Sequence, residues 1–380
     1  MSRSAADRIA VAVIGAGFIA DYHINGLRAA GGADIAVLAG RRAEATEAKA
    51  AALGIGRAET DYRRVLDDGA IDAVVIATPD DTHERIAIDA LGAGKRVLLQ
   101  KPMALSSEQC RAILAADERA GRHLTVSFMH RYFPEVRWLR SQIEAGMLGA
   151  IHSVRLRNAT PGADWNDWFF KPGNVSGGVV MQLGVHGIDL TQHLLGPIES
   201  VAADMMTARP ERRLADGRTV RTELEDNVLA TYRVAGGTRV SHEMSYTELA
   251  GCDRFRLELY AEHGTVWLRT ERGGAAINAP SVTGMAGWSG PDLPDEPLGA
   301  AHHRHWLSTV RGEAPADDTA AAGLRSIEVA ETLYAAAQAG TRMPVGGEGE
   351  KAGCALRSRY SASSTTTPTS GPVPFWSGPR

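Results

Sequence analysis

The chain has 380 residues, too many for one ordinary core and enough for two domains. Hydrophobic residues make up 44% and charged residues 23%, and 41 basic against 45 acidic side chains leave a formal charge of -4. No apolar run is long enough to cross a bilayer, and this balance gives no electrostatic footprint for nucleic acid or an anionic membrane; the expected partner is a small molecule.

At the amino terminus, basic residues precede an apolar stretch, as in a signal peptide. That stretch runs only from Ile9 to Ile14 before the glycines, and Asp7 sits beside it, so it reads as a buried first strand. Short apolar runs then alternate with helical stretches: "RIAVAVIG", "ADIAVLAG", "IDAVVIAT", "KRVLLQ" and "HLTVSF" are strands, and "RRAEATEAKAAALG" and "SSEQCRAILAADERAG" are helices. The second helix opens with Ser106 and Gln109 at capping-box spacing. This alternation predicts a parallel, doubly wound sheet.

From about residue 151 the segments are strand-like without helices between them. In "RFRLELYAE", Phe255, Leu257, Leu259 and Ala261 alternate with polar residues, the pattern of an antiparallel strand with one buried face. Helices are expected at Val179 to Leu195, His302 to Val310 and Thr319 to Ala339. Beyond Gly346 the chain is rich in Ser, Thr, Gly and Pro with no apolar periodicity. The expected organisation is a Rossmann dinucleotide-binding domain over 1–130, an open-faced, mostly antiparallel α+β domain for substrate and oligomerisation over 131–345, and a disordered tail over 346–380. Cys110, Cys252 and Cys354 are widely spaced, which suggests neither a disulfide framework nor a zinc knuckle and fits a reducing cytoplasm.

"AVIGAGFIA" places Gly15, Gly17 and Ala20 directly after a strand and at the mouth of a helix. The first glycine permits a tight turn, the second lets backbone amides approach a pyrophosphate, and the small third residue lets helix and strand pack closely. Phe18 and Ile19 belong to the same turn. After the second strand the residues are Leu38, Ala39, Gly40, Arg41 and Arg42, with no carboxylate to bind the ribose hydroxyls of NAD. A guanidinium suits an adenosine 2'-phosphate, so NADP is favoured over NAD, with Arg41 and Arg42 as phosphate ligands. Ala77, Thr78 and Pro79 end a strand at the carboxyl edge of the sheet, where they are expected to line the nicotinamide side, with His83 and Gln100 nearby.

The sequence resembles the Gfo/Idh/MocA oxidoreductases. The likeness rests on "AVIGAGFIA", "ATPDDTH", "QKP" where that family usually has EKP, "GGVVMQLGVHGIDL" where it has a glycine run followed by DxGxHxxD, and the "AAGLRSIEVAETLYAAAQAG" helix. The resemblance implies a nicotinamide-dependent oxidation or reduction of a sugar, polyol or related hydroxy compound. It carries the family's lysine and histidine over to Lys101 and His186. It also implies a homodimer or homotetramer. Two acids of the pattern are replaced, by Gln100 and Gln182.

The residues themselves lead to the same chemistry. Hydride transfer creates or quenches charge on a substrate oxygen, which calls for a proton carrier and a cation beside it, and Lys101 at a strand's carboxyl end supplies both. Gln182, His186 and Asp189 fall at i, i+4 and i+7, which places His186 as a second acid-base group and Gln182 as an orienting group, with Asp189 structural. Arg131 is a candidate substrate ligand, although an interdomain ion pair would look the same. Asp164 and Trp165, with Trp168, are further candidates for a hydroxyl-rich ligand. "AHHRHW" contains His302, His303 and His305 but no ligand spacing, so it reads as a polar helix start, and no metal is expected. Two alternatives remain at this level: a redox-neutral glycosidase or lyase that retains its cofactor, and a non-catalytic sensor of cofactor or sugar.

Overall fold

The structure is a computed structural model that describes residues 8–164, 166–171, 173–248, 254–270 and 274–346. Trp165, Cys252, Cys354 and all but the first residue of the expected tail lie outside the described residues.

The first unit runs β1 (Ile9–Ile14), α1 (Phe18–Ala30), β2 (Ala33–Ala39), α2 (Ala43–Ala52), β3 (Ala58–Glu59), α3 (Tyr62–Leu66), β4 (Ala73–Ile76), α4 (His83–Gly92), β5 (Arg96–Gln100), α5 (Ser107–Ala120) and β6 (Leu124–Ser127). Its six strands are all parallel, in the order β3-β2-β1-β4-β5-β6. All four residues of β4 are buried, as expected of a strand covered by helices on both faces. The strand order reverses between β1 and β4, which opens a crevice at their carboxyl ends. α5 is capped as its sequence predicts at one end: Ser106 Oγ accepts from the Gln109 amide at 3.3 Å. Gln109 Oε1 reaches back one residue further than a capping box requires, to the Leu105 amide at 2.9 Å.

The second unit contains α6 (Pro134–Glu144), β7 (Ile151–Ala159), α7 (Val185–Leu195), β8 (Ile198–Met206), the ribbon β9 (Glu211–Arg213) and β10 (Thr219–Arg221), then β11 (Asn227–Val234), β12 (Arg239–Ser245), β13 (Phe255–Ala261), β14 (Gly264–Thr270) and β15 (Ala275–Asn278). It closes with α8 (Pro280–Thr283), α9 (Ala300–Val310), α10 (Thr319–Ala339) and β16 (Met343–Pro344). Eight strands form one sheet, β15-β14-β13-β7-β12-β11-β8-β16, antiparallel except where β7 meets β12. Along β11, Val228, Ala230, Tyr232 and Val234 are buried while Leu229 on the opposite face is 64% exposed. This is the open-faced sheet that the alternation implies.

α9 does not stay with the second unit. Trp306 and Leu307 pack into the core formed by Val11, Val13, Ile24, Leu27, Leu38 and Leu98. His302 and His303, expected at a polar helix start, are instead 1% and 0% exposed, because that face of α9 lies on Tyr22 and His23 of α1. α10 spans both sheets: Thr319 Oγ1 accepts from the Val126 amide at 3.0 Å, Glu331 accepts from the Ser107 amide at 3.0 Å, and other faces meet α7 and β8. Among the described residues no helix is long and apolar enough to cross a membrane.

Candidate active site

A cavity of about 880 Å³ runs from the carboxyl ends of β1, β2, β4 and β5 to the end of β7 and the turn that precedes α7. At one end lies the glycine turn. Gly15 adopts φ +115°, and a Cβ there would come within 2.2 Å of the Ala77 carbonyl oxygen, so the turn admits only glycine. Gly17 caps α1 with no side-chain hydrogen bond, and a Cβ on it would meet nothing within 4 Å. Space is thus open beside Gly17, at the positive end of the helix dipole. Phe18 and Ile19 line this end, and Lys49 Nζ donates to the Gly17 carbonyl at 2.9 Å. Arg41 and Arg42, both exposed, line the far side with Tyr62 and Arg85.

In its lining the single acid among the described residues is Asp80. The glycine cradle, the uncapped helix and this cationic rim fit a nicotinamide dinucleotide. Ala77, Thr78 and Pro79 line the middle of the cavity, as expected. His83 does not. Its ring is buried, with Nδ1 at 2.8 Å from the Pro102 carbonyl oxygen and Nε2 at 3.0 Å from that of Thr78, so it braces the loops that follow β4 and β5.

Lys101 follows β5 and is joined to Pro102 by a cis peptide bond. Its Nζ donates to the Gln182 carbonyl oxygen at 2.8 Å. Burial pushes its ammonium down to about 8; Asp80 opposes that shift and Arg254 adds to it. The Gln182 side chain donates to Asp80 Oδ2, and burial raises the Asp80 carboxyl above its usual range. Gln100 Oε1 accepts from the Lys101 backbone amide at 2.7 Å.

Gln182 belongs to a π-helical turn, Val180–Gly184, that leads into α7. Gln182, in this turn, and His186, in α7, both line the cavity; Asp189, one turn further along α7, does not. The turn is anchored by Glu225, whose carboxylate accepts from the Gly178 amide at 3.0 Å, the Val180 amide at 3.1 Å and the Tyr334 hydroxyl at 2.8 Å. A Cβ on Gly178 would lie 2.0 Å from the Glu225 carbonyl oxygen, which accounts for that residue of the glycine pair.

His186 is buried and stacks on His130, with ring centroids 4.1 Å apart and planes 13° from parallel. Burial drives its pKa well below the ordinary value, helped by His130, Lys101 and Arg254, so the ring is neutral at physiological pH. Burial likewise lowers His130, to about 3.

Arg131 is not a cavity residue. Its guanidinium grips Asp189 in a buried fork, with Nε at 2.8 Å and Nη2 at 2.5 Å, and reaches Asp318 at 2.7 Å. The ion-pair alternative is thus the one the structure adopts, and it ties α7 to the start of α10. Asp164 is exposed and outside the lining, its carbonyl accepting from the Ala215 amide at 2.7 Å; its neighbours Ala163, Asn166, Trp168 and Phe169 face the cavity. Trp165 lies outside the described residues. Among the described residues no group of three His, Cys, Asp or Glu side chains is arranged to hold a metal ion.

Sequence reasoning missed Asp80, Arg254, Tyr246 and Glu225. Asp80 had a signal, being the first residue after the strand-ending "ATP". Arg254 and Tyr246 had none, since only the pairing of β12 and β13 with β7 brings their ends to the cleft.

Residues 9–128 match the family described as "Oxidoreductase family, NAD-binding Rossmann fold", and residues 136–267 match the "GFO/IDH/MocA C-terminal domain". The chain is 34% identical to inositol 2-dehydrogenase 2 of Saccharopolyspora erythraea over 68% of its own length and 72% of that protein. It is 28% identical to inositol 2-dehydrogenase 4 of the same organism over 88% and 95%. In fold it superposes on a levoglucosan dehydrogenase solved with NADH and levoglucosan, at a TM-score of 0.79 and 23% identity, covering 90% of this chain and 100% of that one. An oxidoreductase domain protein from Kribbella flavida gives a TM-score of 0.80 at 24% identity over 90% and 100%. The chain is a member of the Gfo/Idh/MocA family of NAD-binding oxidoreductases.

Proposed function

We propose that the protein is a dehydrogenase of a sugar, polyol or related hydroxy compound, preferring NADP, in which Lys101 exchanges the proton of the reacting hydroxyl. The observation that carries this reading is Lys101 itself: an amine shifted to about 8, held by the Gln182 carbonyl, in the cleft between the glycine turn and His186. A nicotinamide dinucleotide bound along that turn would accept or return the hydride.

The rest is done by side chains of this chain. The neutral amine of Lys101 takes the hydroxyl proton, and the resulting ammonium stabilises charge on the oxygen. His186, neutral and fixed by stacking on His130, offers a hydrogen bond to the same hydroxyl. Gln182 acts less on substrate than on Asp80 and Lys101, which its side chain and carbonyl hold in place. Trp168 and Phe169, stacked with centroids 3.8 Å apart, and the nearby Asn166 and Thr160 offer an apolar wall and hydrogen-bonding groups suited to a hydroxylated ring. Names among the relatives, inositol and levoglucosan dehydrogenases, support that substrate class.

NADP is favoured because Arg41 and Arg42 rim the adenosine end without a neighbouring acid in the lining. A homodimer or homotetramer formed through the open sheet face and a cytoplasmic location complete the proposal.

Fluorescence titration with NADPH and NADH tests the cofactor reading. NADPH is expected to bind more tightly, and Arg41→Ala to remove about 1–3 kcal/mol of NADPH affinity while leaving NADH nearly unchanged. Tighter NADH binding in the parent protein would overturn the role given to Arg41. A screen of inositols, anhydrosugars and aldoses for net dinucleotide reduction then separates a dehydrogenase from a redox-neutral enzyme or a sensor.

A further inference from the structure

The buried histidines of α1 and α9 are joined to the residue beside Lys101 by a continuous line of hydrogen bonds. His303 Nδ1 lies 2.8 Å from the Gly299 carbonyl oxygen, which can only accept, so this nitrogen carries the proton. Burial lowers His303 to about 4 and His23 well below its usual value, so each ring is neutral and carries one proton. The His303 Nε2 is therefore bare, and it accepts from His23 Nδ1 at 3.0 Å. His23 Nε2 is bare in turn, and the Gln100 amide nitrogen donates to it at 3.3 Å. That sets the orientation of the glutamine amide, whose oxygen accepts from the Lys101 backbone amide at 2.7 Å. Every donor points the same way, from Lys101 towards Gly299.

We infer that Gln100, His23 and His303 form a positioning chain that anchors the Lys101 backbone to α9, and that this chain requires a neutral donor at position 100. A carboxylate there would present an oxygen to the bare Nε2 of His23. Reversing both tautomers would not help, because His303 would then face the Gly299 carbonyl with a lone pair. A glutamate at 100 is accommodated only if one more proton is bound, on the histidine pair or on the carboxyl itself.

The packing of the helices supports a chain built for contact. A Cβ on Gly26 of α1 would lie 2.2 Å from His303 Nδ1, and Gly299, at φ +84°, approaches the Gly26 Cα at 3.2 Å from its own added Cβ. Glycine at both positions is what lets the imidazole and its carbonyl acceptor reach α1. The neighbouring pair, Tyr22 hydroxyl and His302 Nδ1 at 3.1 Å, runs beside the chain without joining it.

The catalytic role of Lys101 rests on the function proposed above, whereas the proton positions do not, so the test begins with ¹⁵N-histidine NMR of the full chain. His23 and His303 are both expected to show a protonated Nδ1 and a bare Nε2, unchanged from about pH 6 to about pH 8. A protonated Nε2 on either ring would overturn the chain. Gln100→Glu is expected to hold one extra proton at about pH 7, seen either as a doubly protonated ring or, in a ¹³C-glutamate spectrum, as a protonated carboxyl at position 100; neutral rings together with an ionised carboxylate there would refute the requirement. Should that variant not fold, His303→Phe removes the acceptor for the His23 proton and should release His23 to a tautomer mixture; a single retained tautomer would count against the chain. Once a substrate is in hand, His303→Phe should lower kcat about tenfold with KM and NADPH affinity within about twofold, and an unchanged kcat would reduce the chain to a packing feature.

Discussion

A lysine in this site is tuned by what surrounds it and not by what precedes it. Burial is the largest influence on Lys101, and the carboxylate that opposes it, Asp80, is itself occupied by Gln182. In the role proposed for Lys101, alcohol oxidation needs the neutral amine to accept the proton, so kcat/KM is expected to rise with pH through about 8 and level above it. In carbonyl reduction the ammonium is required, and the rate should fall over the same interval. A profile flat through that window would remove Lys101 from the reaction. Lys101→Met is expected to lower turnover roughly 10²–10⁴-fold while dinucleotide binding, measured by fluorescence, persists. His186 should add no second inflection near neutrality, since burial holds it neutral throughout.

At the scale of elements, the Arg131 fork joins three of them: the turn after β6, α7 through Asp189 and the start of α10 through Asp318. Asp189→Asn leaves a buried guanidinium short of its main counter-charge and is expected to cost about 3–5 kcal/mol in urea denaturation. An equal loss from the double variant Arg131→Leu/Asp189→Leu would show that packing and not charge is at stake. The elements themselves were largely legible in sequence. β4 and β5 announced themselves as unbroken apolar runs, and α10 was bounded correctly at Thr319 and Ala339 because its periodicity is long. That the turn glycines, Lys101 and His186 would border one cleft was legible too, from a strand-turn-helix motif and a family pattern. What escaped was set by tertiary contact. Nothing in "VVMQLGVHG" distinguishes a π turn from an α-helix, so one continuous helix was expected where the structure has two kinds of turn. Nothing local in "AHHRHW" says that α1 will cover it. α6 had a signal, Pro134 at its first turn with Val136 and Leu139 on one side, that the shift to strand-like segments obscured.

Over the whole molecule, the first six strands do not own their core. Trp306 and Leu307 of α9 fill the space beside Ile24 and Leu27, and α10 covers β6 and α5. Trp306→Ala is expected to destabilise the protein by about 3–5 kcal/mol, read from thermal or urea unfolding. A fragment ending at residue 150 should bind a hydrophobic dye and melt without a cooperative transition; a sharp melt in that fragment would show that the sheet is self-sufficient. The return of α9 also bears on how the protein is made. β6 ends at Ser127 and α9 begins at Ala300, so on the ribosome the dinucleotide-binding half waits for its last helix for roughly 10–35 s at ordinary elongation rates. During that interval an uncovered apolar face of α1 is available to chaperones, and the line from Gln100 through His23 gains its last link, His303, only after the whole second sheet has been made.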